Sequence, residues 1–189
     1  MIAASDAMRK TIYEALCACL GLGPGTAAAS ALVCPACAEP GPAPQAPRNR
    51  NVIYYSLLRD DRGEERPQTI VYKGRDGTEK PAEIRSFLAY RLLVVCYGPD
   101  AEKHAHRIRA TLYADGAGEP RSILRKAGIY PVPRPGQPLL LAETEDSRLR
   151  PRADLEISLR VADVLETRVP GIASVPKIYC NNEFGFQIR

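Results

Sequence analysis

Tryptophan is absent from this chain of 189 residues, and phenylalanine (3), methionine (2) and histidine (2) are scarce. So few large rings disfavour a protein that grips single-stranded nucleic acid by stacking bases on exposed aromatic platforms. The two histidines, His104 and His106, stand two positions apart on a predicted helix and project to different sides, which excludes a shared metal or a simple acid–base pair. A Gly-rich phosphate loop, a nucleophile elbow and a His-Glu-x-x-His helix are all missing. The paired acids Asp60-Asp61, Glu64-Glu65 and Glu143/Glu145 fall in predicted turns or loops and read as solvated charge. No enzyme and no cofactor is expected. No apolar run approaches the roughly 18 residues a membrane span requires, so no membrane partner is expected either.

Charge is plentiful but nearly balanced. The net value of +4 falls short of a strongly basic footprint. Arg48, Arg50, Arg121, Arg125, Lys126, Arg148, Arg150 and Arg152 still form local basic patches, read as solvated surface or subunit contacts. At this length a single domain with tails is the default, able to bury about 70% of its unfolded surface.

Six cysteines include a close pair, Cys17 and Cys19, and the CxxC of Cys34-Pro35-Ala36-Cys37. Four thiolates in two pairs suit a structural zinc, which makes Cys34 and Cys37 the metal candidates. Against this, Cys17 and Cys19 lie about 200° apart around a helix and do not readily chelate one ion together. The competing reading packs Cys17 as a small apolar residue. The stretch Ala15–Ala38 also imitates a targeting signal through Ala27-Ala28-Ala29-Ser30 and Leu32-Val33-Cys34. Gly21, Gly23, Pro24 and Gly25 break its apolar core, and the preceding segment carries Asp6 and Glu14, so the signal reading fails.

Periodicity supplies the fold. Ala153, Leu155, Ile157, Leu159 and Val161 alternate with Asp154, Glu156, Ser158 and Arg160, the pattern of a half-buried antiparallel strand. Ile84–Tyr97 is apolar on both faces and reads as its central partner. After Tyr97-Gly98-Pro99-Asp100, with Asp100 as the expected N-cap, Ala101, Ala105, Ile108 and Leu112 recur at helical spacing. A shorter helix is expected from Pro120 to Lys126, with Gly128 as its stop. Ser5–Leu20 is a further helix with Met8, Ile12, Leu16 and Leu20 on one stripe. Together these elements predict an α+β fold. Its sheet is mostly antiparallel, two to three helices pack on one face, and extended loops or arms complete it.

Between these elements lie a Gly/Ala/Pro-rich connector at 22–51, strands at Val52–Leu58 and Thr69–Lys73, and polar turns at Arg59–Arg66 and Gly74–Thr78. A proline-rich crossing, Tyr130–Pro138, leads into a strand at Leu139–Ala142. The organisation expected is one domain over 1–169 and a C-terminal tail or arm over 170–189, whose Phe184, Phe186 and Ile188 would be buried if the tail is ordered.

The order of an N-terminal helix, "RNRNVIYYSLL", "YRLLVVCYGPDAEKHAHRIRATLY", "ILRKAGIYPVPRPG" and "RADLEISLRVADVLE" resembles the tail-terminator, or neck, proteins of tailed bacteriophages and prophages. The resemblance covers about Met8 to Val169. It leaves out the Ala/Cys-rich stretch Ala15–Ala38 and the tail beyond Pro170. It implies a structural virion protein, assembled in the bacterial cytoplasm as a homo-oligomeric ring, usually hexameric. Such a ring caps the tail tube, ends its polymerisation and serves head–tail joining. The partners implied are the tail-tube protein, a head-completion or connector protein and, in a contractile tail, a sheath protein. Genomic DNA would pass the lumen without sequence-specific binding. Arg59, Arg62, Arg66, Arg75 and Asp76 in the polar loops, with Phe184, Phe186 and Ile188 in the tail, are the interface candidates. Another head–tail connector, a nucleic-acid-binding accessory domain using the arginines, and a small zinc-stabilised module are the alternatives.

Overall fold

The computed structural model describes residues 6–36, 49–60, 69–72, 79–114, 118–133, 136–145, 148–170, 178–181 and 185–188. In chain order these form α1 (Asp6–Leu20), α2 (Ala27–Leu32), β1 (Val33–Pro35), β2 (Val52–Arg59), β3 (Thr69–Tyr72), β4 (Glu79–Tyr97), α3 (Ala101–Tyr113), α4 (Glu119–Lys126), β5 (Ile129–Pro131), β6 (Leu139–Glu145), β7 (Arg148–Pro170), β8 (Ile178–Asn181) and β9 (Gly185–Ile188). The fold is α+β, as the periodicity predicts. Its main sheet runs β1-β2-β4-β7-β5, with β3 also on β4 and β6 also on β7. Strands β2 and β3 pair antiparallel with β4, and β5 and β6 antiparallel with β7, whereas β1 runs parallel to β2.

By internal contacts the chain divides into two compact units, residues 1–65 with 87–162 and residues 66–86 with 163–189. The second contains the pairing of β3 with the start of β4, from Thr69 opposite Arg85 to Tyr72 opposite Ala82. It also contains the separate hairpin β8–β9.

The core belongs to the first unit. Along β4, Tyr90, Leu92, Val94 and Cys96 are buried, and along β7, Ala153, Leu155, Ile157 and Leu159 are buried, so each strand gives every second side chain to one face. Ile53 and Tyr55 of β2 join them, opposite Cys96 and Val94. Met8, Ile12, Leu16 and Leu20 of α1, Ile108 and Leu112 of α3, and Leu124 of α4 meet that face in a single cluster. Burying an Ile or Leu side chain there is worth roughly 1.5–3 kcal/mol each, and this apolar stripe fixes the helices on the sheet.

Local chemistry sets the helix ends. Gly21, at φ 72°, lets Leu22 N–H reach back to Cys17 O at 2.9 Å and closes α1. Arg107 of α3 donates Nε to Cys19 O at 3.1 Å, so a cation sits on the open carbonyls of the last turn of α1. Two expectations need correction. The connector contains a helix and a strand, because Thr26 caps α2 by accepting from Ala29 N at 3.2 Å and the chain then runs into β1. Asp100 precedes α3 without capping it through its side chain. Its carboxylate accepts from Asn51 Nδ2 at 2.8 Å while its N–H donates to Asn51 Oδ1 at 3.0 Å.

That Asn51–Asp100 clasp presses the chain against Gly98, whose φ is 108°. A Cβ at Gly98 would lie 2.6 Å from Asn51 Oδ1 and 2.8 Å from Arg50 O. Gly98 N–H also donates to Pro151 O at 3.2 Å, so one residue ties the starts of β2, α3 and β7 together. Gly98→Ala should cost about 3 kcal/mol of stability through strain and collision. Gly136→Ala, where a Cβ meets nothing within 4 Å, should stay within about 0.5 kcal/mol. Urea denaturation of both variants checks this, and equal midpoints would contradict it.

Candidate functional site

The face of the sheet away from the helices is built from the alternate residues left over by the core. It carries Tyr54, Ser56 and Leu58 of β2, Arg91, Leu93, Val95 and Tyr97 of β4, and Arg152, Asp154, Glu156, Ser158 and Arg160 of β7, none of them in the core cluster. At one end of this face a cluster gathers on Tyr97, the last residue of β4. The guanidinium of Arg150 lies 4.5 Å and that of Arg152 5.6 Å from its ring centroid, and Tyr54 meets it edge-on at 6.0 Å. Cations over a ring face are held by the ring quadrupole. Arg152 also donates Nε and Nη2 to the two oxygens of Asp154, each at 2.7 Å, and reaches Glu143 at 3.6 Å. The hydrogen bond to Asp154 raises the Arg152 pKa further, so this cation is permanent. Burial, and then a hydrogen bond to Glu143, raise the Tyr97 phenol, which stays protonated at neutral pH. Farther along, Arg91 bridges Asp60 at 3.5 Å and Glu156 at 3.7 Å.

Beside this polar cluster the surface is apolar. Leu139 and Leu141 of β6 on this face, and Leu140 of β6 and Leu149 at the start of β7 on the opposite one, are between 41% and 74% exposed. Strand β6 pairs with β7 from Leu139 opposite Asp154 to Glu145 opposite Arg148, and among the described residues that is its only strand partner. A leucine-rich edge strand with open main-chain groups is a template for another chain. Phe87 and Tyr130 form a second exposed pair, edge to face at 6.2 Å.

Few of the residues expected from sequence fall among the described ones. Arg59 ends β2 opposite Tyr90 and is half-buried. Arg62, Arg66, Arg75, Asp76, Phe184 and Cys37 lie outside the described residues. Phe186 and Ile188 fall on β9, opposite Cys180 and Ile178. Cys34, on β1, is half-buried with its thiol 3.5 Å from Ser30 O. Cys17 and Cys19 are both buried in α1. Among the described residues no three His, Cys, Asp or Glu side chains gather as a metal site. His106 is exposed and 3.7 Å from Glu102, whereas His104 is half-buried, and desolvation lowers its pKa. Glu143, read as part of a loop, stands on β6. The Tyr97 cluster and the exposed leucines were not singled out from sequence. The signal for the leucines was present in Leu139-Leu140-Leu141, where three apolar residues in succession on a strand cannot all face one core.

Among the described residues no helix is long and apolar enough to cross a membrane. Compared with protein-family models and with curated proteins, the chain matches none.

Cysteine chemistry offers a direct check of this geometry. Burial pushes the thiols of Cys19 and Cys96 up to about 12 and raises those of Cys17 and Cys34 as well, so none is an activated nucleophile. Of the four, only Cys34 is partly exposed. Iodoacetamide at neutral pH followed by peptide mass mapping should label Cys34 before Cys17, Cys19 and Cys96, which should stay intact until urea unfolds the chain. Uniform labelling in the native state would contradict the packing.

Proposed function

We propose that this protein is a structural subunit of a phage neck, a tail-terminator-like protein. It forms a ring that caps the tail tube, ends its polymerisation and joins it to the head-side connector. One observation carries the reading: the leucines of β6 and Leu149 stand in water on an edge strand of a domain with a well-filled core. A small domain leaves such a surface open when a partner covers it. The succession of long strand, helix, short helix, proline-rich crossing and alternating strand on which the family resemblance rests is also the order of β4, α3, α4 and β7, with β5 and β6 lying between α4 and β7.

A ring requires one surface of each subunit to match a different surface of the next, so that rotation closes the assembly. The salt-bridged Tyr97–Arg152–Asp154 cluster supports this role as a stiff, mostly satisfied polar surface beside the apolar edge. In this reading the protein is no enzyme and needs no cofactor. Its partners are further copies of itself, the tube protein and the connector.

The test is assembly. Light scattering of the full chain, alone and with its tail-tube protein, should give a closed ring of about six copies, either free or on the tube end. Electron microscopy should then show tubes that stop growing once capped. A chain that remains monomeric and leaves tube growth unchanged would overturn the proposal.

A further inference from the structure

Large rings are few in this chain, yet two of the exposed ones meet. Phe87 of β4 and Tyr130 of β5 are 43% and 41% exposed and pack edge to face at 6.2 Å on the open face of the sheet. Strand β7 runs between their two strands, and its exposed Arg160 stands opposite Tyr130. Two positions to either side of Arg160, on the same face, are Ser158 and Ala162, too small to screen the rings.

Charge divides this face. Between Arg91 and Tyr97 of β4, acids answer the cations: Arg91 lies between Asp60 and Glu156, and Arg152 is held by Asp154 and Glu143. At the aromatic end they do not. Among the described residues Arg160 enters no ion pair, and neither do Arg125 and Lys126, exposed in the last turn of α4. That turn is tied to the sheet, because Gly128 N–H donates to Arg125 O at 3.0 Å and Ala162 N–H donates to Gly128 O at 2.8 Å. Four residues at ~3.5 Å each keep Lys126 within about 14 Å of Tyr130.

Two rings in water beside three uncompensated cations match a ligand in which flat π-faces and negative charges alternate. We propose that this end of the sheet binds single-stranded nucleic acid, with bases stacked on Tyr130 and Phe87 and phosphates held by Arg160, Arg125 and Lys126. A duplex keeps its bases stacked on one another and offers the rings no free face, so the single strand is the form selected. An acidic peptide would satisfy the cations and leave the rings without a partner. The site uses none of the exposed leucines of β6 and stands apart from the assembly reading.

Fluorescence anisotropy of a labelled oligothymidylate of about 12 nucleotides, titrated with the full-length chain, tests it. Binding should weaken about twentyfold from about 50 to about 200 mM salt, the slope of roughly −2 that three phosphate contacts give. Arg160→Gln should reduce that slope by about 0.7. Tyr130→Leu keeps an apolar surface without the ring and should bind about tenfold more weakly, whereas Tyr130→Phe should bind like the wild type. If circular dichroism shows that Tyr130→Leu does not fold, Phe87→Leu gives the same reading. No binding at low salt, unchanged affinity after loss of either ring, or a duplex of equal length bound as tightly would overturn the proposal. So would displacement by polyglutamate as readily as by unlabelled oligothymidylate.

Discussion

The two-residue alternation of β7 is the constraint on which the first unit depends. From Ala153 to Leu159 the odd positions enter the core and the even positions form the open face. The same strand pairs with β6 at its start and with β5 around residues 159–161. A slip of one residue would put Asp154, Glu156 and Arg160 among Leu92, Ile108 and Leu112 and would turn the leucines of β7 into water. Burying unpaired charges on that scale costs far more than a domain's whole margin of stability, so the register is strongly fixed. Everything displayed on the open face, including the Arg152–Asp154 pair over Tyr97, inherits its position from that register.

The same alternation explains why the exposed leucines matter. Elsewhere in the first unit, apart from the exposed Phe87, Tyr130 and Leu149, the strands divide into a buried and a polar or half-buried face. At β6 the rule breaks, because Leu139, Leu140 and Leu141 are consecutive and point both ways. A violation of the binary pattern without a compensating contact inside the molecule is where function is expected to lie. In the polar cluster next to it, Arg152 is held by Asp154 and Glu143. In the proposed assembly such a surface would contribute shape and register more than affinity, and the apolar edge would supply the driving force.

Most of the fold was legible because its signals were periodic. The stripe of α1, the spacing of Ile108 and Leu112 in α3, Pro120 and Gly128 around α4, and the alternation of β7 each follow one rule of helix or strand geometry. The six-residue helix α2 was missed because Ala27–Ala31 has no apolar stripe, and alanine propensity with the Thr26 cap was its only local signal. Asp100 misled as a cap because its carboxylate is claimed by Asn51, 49 residues earlier in the chain. The candidate surface was the least legible part. Whether Leu149 is covered depends on where the helices end over the sheet, which no local pattern encodes. The loop arginines and tail aromatics stood out for composition alone, and composition does not say which side chains meet.

The most direct measurement of the central claim, that the β6 edge is a subunit contact, is amide hydrogen exchange of the full chain in dilute and in concentrated solution. Exchange across residues 139–145 should slow as concentration rises, while the core amides of α1 stay unchanged. Exchange at 139–145 that is the same at both concentrations, in a sample shown by its mass to have assembled, would contradict it.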